Sequence, residues 1–275
     1  MRRVHTLEFE DLPWVPGWLR DSLTRVLVVL GRVFGVPDAL APLIRRVLRE
    51  QELTQIVDLG SGAGGCMPDV LAAVGSDPDF AGTQLLLTDR YPNKDAQARF
   101  ASTENIRYAA QPVDATTLAE APAGLKTMIN CFHHMRPPQA RAILEAAERR
   151  REPLLVYELA DNTVPFWAWV LALPIGLPMV FLSALLLTPF VRPLSARQLF
   201  FTYVIPIIPA LYAWDGQASA PRIYGLADLD ELLEGLGGAG YHWEKGTAVT
   251  EDGRSRGIYL LGTPQPQDDG GDGSA

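Results

Sequence analysis

The segment between Val57 and Gly65 constrains the fold of this chain more than any other, because it has the composition of a tight glycine-rich turn. The apolar residues 55–57 before it predict a short buried strand. After it, Pro68 opens a helical pattern, and proline is favoured in the first turn of a helix. A strand, a tight loop and a helix in this order predict an α/β fold with a parallel sheet.

Glycines at positions 60, 62 and 64 let the loop backbone adopt positive φ and approach a ligand closely. Gly60, Gly62 and Gly65 also satisfy the G-x-G-x-x-G pattern, so a dinucleotide such as NAD is an alternative ligand. Asp58 favours a different one. A pyrophosphate needs a loop free of nearby negative charge, whereas the ammonium and sulfonium groups of S-adenosylmethionine favour an acid. At the strand end, Asp58 can accept a hydrogen bond from that ammonium.

Short apolar runs then alternate with helical patterns, which predicts a doubly wound, mostly parallel sheet. The apolar runs cover residues 55–57, 85–87, 106–108, 127–130 and 154–157. A late helical pattern at 227–236 leads to residues 241–249 and 258–261, which have the pattern of an antiparallel hairpin at the sheet edge. We therefore predict seven strands, with N-terminal cap helices before them and a hydrophobic helical insert after the fifth strand.

The predicted domain organisation follows from these patterns. Cap helices occupy residues 1–50, the core occupies 51–160 and 222–263, and the insert occupies 161–221. Residues 264–275 are predicted to be a disordered tail, because residues 265–273 contain no apolar side chain to bury.

Over about residues 50–160 and 222–262 the chain resembles the class I S-adenosylmethionine-dependent methyltransferases. Four strand-end motifs carry the resemblance: Asp58 before the glycines, Asp89 after residues 85–88, Asp114-Ala115, and residues 130–134. The resemblance implies that Asp89 holds the ribose hydroxyls and that Asp114-Ala115 meets the adenine. The implied cofactor-binding residues are Asp58, Gly60, Ser61, Gly62, Gly64, Asp89, Arg90, Asp114, Ala115 and Asn130.

Physical reasoning agrees with these positions, because open α/β sheets bind ligands at the carboxyl ends of strands, near the point where strand order reverses. An alternative stays open for Asp114. A single aspartate after a strand is often only a helix N-cap or a turn former.

Methyl transfer from a sulfonium is an in-line displacement, so alignment of the two reactants supplies most of the rate. A base helps only where the acceptor atom carries a proton. His133 and His134 are the candidates, although a histidine in such a loop is often a structural hydrogen-bond donor. Tyr157 and Glu158 end the fifth strand and are candidates for orienting the acceptor. No metal site is predicted.

The insert is markedly apolar, with no charged residue in 164–191 or in 198–214. Uncharged stretches longer than about 18 residues are candidates for membrane spans. Arg192 and Arg197 in the connecting loop oppose a full crossing. Prolines are expected to interrupt the helices and to suit a bent, re-entrant or surface-lying hairpin; they stand at 165, 174, 178, 189, 206 and 209. Four aromatic residues are predicted at one membrane interface: Trp167, Trp169, Tyr212 and Trp214. The alternative is a soluble lid over an apolar substrate.

These patterns predict methyl transfer from S-adenosylmethionine to a small hydrophobic acceptor, such as a lipid or a secondary metabolite, at O, N or C. Two alternatives remain: a membrane-anchored module that binds the donor without turnover, and an NAD-dependent oxidoreductase. The net charge of −8 makes nucleic acid an unlikely partner. Cys66 and Cys131 lie far apart, which favours a reducing, cytoplasmic location. The apolar insert predicts membrane contact through 164–214. The sequence predicts no oligomeric state.

Overall fold

The computed structural model describes residues 1–238, 240–250 and 252–265. Across these residues, seven strands form one sheet with helices on both faces, which confirms the predicted fold class. The strands are β1 (Gln55–Leu59), β2 (Gln84–Thr88), β3 (Ile106–Tyr108), β4 (Leu125–Ile129), β5 (Leu154–Glu158), β6 (Tyr241–Val249) and β7 (Ser255–Pro264).

The strands lie in the order β3-β2-β1-β4-β5-β7-β6. Strands β1 to β5 are parallel, and β7 is antiparallel to both of its neighbours. Because β1 pairs with both β2 and β4, the strand order reverses there. In this register Asp58 lies between Leu87 of β2 and Thr127 of β4. The carboxyl end of β1 is therefore the expected position of a ligand site.

The helices are α1 (Gly17–Val33), α2 (Val36–Glu50), α3 (Met67–Val74), α4 (Lys94–Phe100), α5 (Pro137–Arg150), α6 (Phe166–Leu187), α7 (Ala196–Tyr203), α8 (Ile207–Arg222) and α9 (Leu226–Leu233). Helices α1 and α2 are the predicted cap helices, and they meet at 80°. Helix α9 ends earlier than the pattern predicts, because Gly235 and Gly237 adopt φ of 77° and 84°.

Two apolar clusters cover the two faces of the sheet. Alternate residues of a strand point to opposite faces, so Leu155 packs with α2 and α3 while Leu154 and Val156 pack with α5 and α9. The central strands β1, β4 and β5 are therefore covered on both sides, as parallel sheets require.

The insert forms three helices, α6, α7 and α8, which build a third apolar cluster with α1. Helix α6 is continuous through Pro174 and Pro178, so the predicted interruption of the helix at these prolines is wrong. The chain breaks instead at the turn Thr188–Phe190 and between α7 and α8, which meet at 77°. By length and composition, Phe166–Phe190 suffices to cross a membrane. Two bent pairs, α1 with α2 and α7 with α8, also pass that test when each is counted as one span.

The four aromatic residues predicted at one membrane interface do not share one environment. Trp167 is exposed, whereas Trp169 and Tyr212 are buried. The indole N–H groups of Trp169 and Trp214 donate to the carbonyls of Gln217 and Leu7, 2.9 Å away in both cases. Trp167 alone of the four presents a largely exposed ring.

The end of β7 overlaps the predicted tail. Pro264 pairs with Tyr241, and the backbone N–H of Gln265 donates to the carbonyl of Gly240 at 2.8 Å. Residues 266–275, the rest of that predicted tail, lie outside the described residues.

Candidate functional site

The glycine loop has the open backbone that the sequence predicts. Gly60, Gly62, Gly64 and Gly65 adopt φ of 74°, 51°, 102° and 49°. At Gly64 a Cβ atom would lie 2.7 Å from the Phe100 ring, so no side chain fits there. Around the Cβ position of Gly62 there is open space within 4 Å. The loop thus presents bare backbone at the carboxyl end of β1.

Asp58 lies beneath this loop with 4% of its surface exposed. Its Oδ2 accepts a hydrogen bond from the Ser61 hydroxyl at 2.6 Å, and its Oδ1 accepts one from the Thr127 hydroxyl at 2.7 Å. Burial raises the pKa of Asp58 to about 7, although both hydroxyl contacts favour the ionised form. Each carboxylate oxygen already accepts from the protein, so Asp58 braces the loop against β4. Direct contact with a donor ammonium stays a prediction.

Asp89 follows β2 and holds the loop from the other side. Its Oδ2 accepts from the backbone N–H of Gly62 at 2.9 Å, and its Oδ1 accepts from that of Tyr91 at 2.7 Å. Burial raises its pKa, against the effect of these two hydrogen bonds. The structure therefore brings Asp89 and the glycine loop together, as a ribose-binding role requires.

Asp114 forms a turn after β3. Its Oδ1 accepts from the backbone N–H and the hydroxyl of Thr116, at 2.9 and 2.6 Å. The hydroxyl of Thr116 is the main cause of its lowered pKa. Arg90 Nη1 lies 3.7 Å from Asp114 Oδ2, and both side chains are partly exposed. The turn-forming role is thus present, while the adenine contact of Asp114 and Ala115 stays a prediction.

Asn130 joins the ends of β4 and β5. It adopts φ of 54°, its N–H donates to the Tyr157 carbonyl at 2.8 Å, and its side-chain Oδ1 accepts from the N–H of Leu159 at 2.8 Å. Its side-chain oxygen is therefore engaged with the chain beyond β5. Contact between Asn130 and the donor also stays a prediction.

His133 and Glu158 form a buried pair at the ends of β4 and β5. His133 lies in the short turn Phe132–His134, and its Nδ1 is 2.8 Å from Glu158 Oε2. The other oxygen, Oε1, accepts the backbone N–H of His133 at 2.9 Å. Glu158 therefore fixes both the turn and the ring that the turn presents.

Tyr157 is directed away from this pair, because neighbouring strand residues face opposite sides of the sheet. Its hydroxyl donates to the carbonyl of Arg256 at 2.7 Å, and burial raises its pKa. Of the four predicted catalytic residues, the structure brings His133, His134 and Glu158 together and places Tyr157 in the core.

Three charged residues that the sequence analysis did not assign complete the histidine cluster. Glu8 Oε1 lies 3.8 Å from His133 Nε2, and Glu8 Oε2 lies 3.3 Å from His134 Nδ1. Asp11 Oδ1 lies 2.9 Å from His134 Nδ1, and Asp11 Oδ2 lies 2.7 Å from Nη1 of Arg222. The only sequence signal for the two acids is their position among apolar residues at 7–12.

The pKa values of Glu8 and Asp11 shift in opposite directions. Glu8 is 1% exposed, and its burial raises its pKa to about 7. For Asp11, burial works in the same upward direction, yet the contacts with His134 and Arg222 hold its pKa below the ordinary value.

Hydrogen bonds hold the N-terminal segment, residues 1–16, across the histidine turn. Arg3 donates to the carbonyls of His133 and Met135 at 2.5 and 3.1 Å. Asp215 of α8 accepts the backbone N–H groups of Phe9 and Glu10 at 2.7 and 3.2 Å. This segment is therefore part of the site, since it covers the histidines and supplies two of their carboxylate neighbours.

Solved structures of methyltransferases resemble this chain. The plantazolicin methyltransferase BpumL in complex with SAH aligns with a TM-score of 0.50 and 9% identity, over 90% of this chain and 98% of that one. The plantazolicin methyltransferase BamL, with a triazolic desmethylPZN analogue and SAH, gives 0.49 and 10%, over 90% and 97%.

The O-methyltransferase NcsB1 from neocarzinostatin biosynthesis, with S-adenosylmethionine and 2-hydroxy-5-methyl naphthoic acid, gives a TM-score of 0.42 and 17% identity, over 82% of this chain and 56% of that one. No protein-family model and no curated protein matches the sequence significantly.

Identities this low show the fold alone. The likeness to BpumL extends over nearly the whole length of both chains, and the sheet has the parallel strands and antiparallel edge pair that the resemblance implied. The chain has the fold of the class I S-adenosylmethionine-dependent methyltransferases.

Proposed function

We propose that this protein is an enzyme that transfers a methyl group from S-adenosylmethionine to a small hydrophobic acceptor. The observation that carries the proposal is the open glycine loop at the reversal of strand order, with Asp89 bound to the backbone N–H of Gly62. A ligand at this strand end meets bare loop backbone on one side and a carboxylate on the other. Both features suit a nucleoside with a cationic tail.

Each acid has a separate role in donor binding. Asp89 has free lone pairs beyond its two backbone contacts, since a carboxylate offers about four acceptor sites, and it binds the ribose hydroxyls. Asp58 keeps the loop in shape through Ser61 and Thr127. Its buried negative charge also favours the cationic end of the donor. Asp114, with Ala115 beside it, lies on the adenine side.

The chemical step needs alignment more than covalent catalysis, because a sulfonium has a good neutral leaving group. Where the acceptor atom carries a proton, the histidine turn supplies the group that activates it. Glu158 at Nδ1 of His133 selects the tautomer whose Nε2 has the free lone pair. His134 stacks beside it with ring centroids 4.3 Å apart.

The hydrophobic acceptor and the membrane contact are inferred from the insert. Helix α6 buries only Trp169 and Ala184, whereas a lid packed on the core would bury a whole face. Exposed leucines, including Leu171, Leu182 and Leu186, leave an apolar surface that a lipid bilayer would cover. A membrane location also gives a lipid or another apolar acceptor direct access to the protein.

Calorimetric titration tests the donor assignment. We expect S-adenosylmethionine and S-adenosylhomocysteine to bind and NAD to give no signal. Asp89→Ala should weaken binding about 10- to 100-fold, since hydrogen bonds to a charged group are worth about 1.5–3 kcal/mol. Asp58→Ala should abolish binding. Asp79→Ala, an exposed site outside the loop, is the matched control. Unchanged affinity in Asp58→Ala and Asp89→Ala would contradict the donor site.

A transfer assay with a labelled methyl group tests the activity. The protein is incubated with lipid extract and, separately, with soluble metabolites, and we expect label in an apolar product. His133→Ala and His134→Ala should lower turnover without weakening donor binding. Wild-type turnover in both variants would reject a chemical role for the histidines. Donor binding without transfer to either pool would favour a binding module.

A further inference from the structure

We propose that Glu8, His133 and His134 bind a divalent transition-metal ion, for which zinc is the best fit. One ligand atom from each of the three residues lies within 4.8 Å of the other two. Glu8 and His133 are buried, and His134 is 22% exposed at its side chain. Two imidazoles and one carboxylate are a donor set that zinc prefers, and three protein ligands leave its fourth position open.

The separations between these atoms fit a shared ion better than direct hydrogen bonds. His133 Nε2 lies 3.8 Å from Glu8 Oε1, which is too long for a hydrogen bond. His134 Nδ1 lies 3.3 Å from Glu8 Oε2. Around a tetrahedral zinc with bonds of about 2.0–2.2 Å, neighbouring ligand atoms lie roughly 3.3–3.5 Å apart. The cluster therefore needs only small movements to close on an ion.

A carboxylate also holds the His133 ring from behind. Glu158 Oε2 lies 2.8 Å from Nδ1 of His133, on the opposite side of the ring from the Nε2 that faces Glu8. A histidine that binds a metal usually donates its other ring N–H to a carboxylate, which fixes the tautomer and strengthens the ligand. For His133 this arrangement directs the lone pair of Nε2 towards Glu8.

Glu8 provides an independent observation that points to a bound cation. Its Oε1 is buried and has no hydrogen-bond partner among the described residues. The nearest cation is Arg222, whose Nη1 lies 3.2 Å away without hydrogen-bonding geometry. An unpartnered carboxylate oxygen is expensive to bury, and coordination of an ion would satisfy it.

The charge of the cluster leads to the same inference. Glu8, Asp11 and Glu158 contribute three negative charges, and Arg222 contributes one positive charge. These carboxylates outnumber the nearby cation, so a bound divalent ion would offset the excess negative charge of the cluster.

Ion binding does not depend on the proposed methyl transfer, but its consequence for catalysis does. A bound metal ion lowers the pKa of a coordinated hydroxyl, so His133 and His134 would act on a hydroxyl acceptor through the ion. Loss of turnover in the histidine variants would then follow loss of the metal ion.

The test is metal binding by the full chain. Elemental analysis of the purified protein should find about one zinc per chain, the stoichiometry of a single three-ligand site. After removal of the metal, titration with Co²⁺ should produce the visible absorption of a four-coordinate site. Added Zn²⁺ should raise the thermal unfolding temperature. Glu8→Gln and His134→Asn should lose the metal and the cobalt spectrum. Glu158→Gln should weaken cobalt binding about 10- to 100-fold through the ring that it orients.

His242→Asn is the matched control, because His242 is exposed on β6 and should leave all three readouts unchanged. His134 is partly exposed, so its variant keeps the test valid if Glu8→Gln fails to fold. Wild-type protein that binds neither Zn²⁺ nor Co²⁺ would overturn the proposal. Equal cobalt binding by the wild type and His134→Asn would overturn it as well.

Discussion

The sheet core and helix α6 have similarly apolar sequences but opposite surroundings. All five residues of β5 are buried, and four of the five in β1 and β4 are buried. In α6 only Trp169 and Ala184 are buried among 22 residues. Apolar composition alone therefore does not show that a segment belongs to a core.

The difference lies in how the apolar residues are arranged. A surface helix of a soluble domain has an apolar stripe facing the core and polar residues opposite it. Helix α6 is apolar on every side, so any face that it turns outward is apolar. The sheet strands are buried in the protein interior, whereas α6 exposes much of its apolar surface.

The largest effect should separate the two regions by stability. Leu155→Ala in β5 removes a fully buried side chain and should lower the free energy of unfolding by about 2–5 kcal/mol. Leu171→Ala in α6 removes a side chain that is 71% exposed and should change it by less than about 0.5 kcal/mol. Urea unfolding without lipid measures both. Similar losses would mean that α6 is packed in solution.

In binding to lipid vesicles, substitutions in α6 should have a large effect and a substitution on the sheet should have none. Each exposed leucine that enters a bilayer contributes about 1.5–3 kcal/mol, so Leu171→Asp combined with Leu182→Asp should strongly reduce cosedimentation with phospholipid vesicles. Val249→Asp, an exposed position on β6, is the control and should bind as the wild type does. Wild-type protein that stays in the supernatant would refute the membrane contact.

A smaller effect should appear in the pH dependence of stability. The pKa of Asp58 is raised by burial to about 7 in the folded protein, so the folded state holds this proton more tightly than the unfolded chain does. The free energy of unfolding should fall as the pH rises from about 4 to about 7, by at most about 1.4 kcal/mol per pH unit.

Asp58→Asn keeps the shape of the side chain and removes its ionisable carboxyl group. We therefore expect the wild type to lose stability relative to this variant between about pH 5 and about pH 8 in urea unfolding. Parallel curves for the two proteins would show that the carboxyl of Asp58 titrates near its ordinary pKa in the folded state.

The smallest effect concerns the ion pair between the cap and the core. Arg32 of α1 binds Asp69 of α3 through two contacts of 2.6 and 2.9 Å, and both side chains are partly exposed. A double-mutant cycle with alanine should give a coupling energy of about 0.2–1 kcal/mol. A coupling well above this range would mean that α1 depends on the sheet core more than its apolar packing indicates.

The sequence predicted the parallel strands because strands that are buried on both faces appear in a sequence as short apolar runs. The five predicted runs correspond to β1 to β5. Strand β7 is longer than its apolar run, since it also includes Gly257, Gly262 and polar residues. In α6 the predicted proline interruptions at 174 and 178 are absent, although an interior proline removes a backbone donor and crowds the preceding turn.

Prediction of the site was limited to residues close to the strand ends. Glu158 ends β5 and His133 lies in the turn just beyond β4, so strand-end reasoning found them. Glu8 and Asp11 come from a segment with no strand and only one short helical turn, and Arg222 ends α8. Their positions depend on contacts between distant parts of the chain, which a single sequence does not display.

The attachment of the insert has a consequence for how such a protein can be built. The side-chain amide of Asn162 donates to the carbonyls of Pro221 and Ile223, at 3.2 and 3.3 Å, so the first and last residues of the insert are neighbours. Loop-closure entropy grows only slowly with length, so the sheet tolerates a long excursion whose ends meet. The insert is therefore modular: its length and surface can diverge while the sheet that presents the glycine loop stays the same.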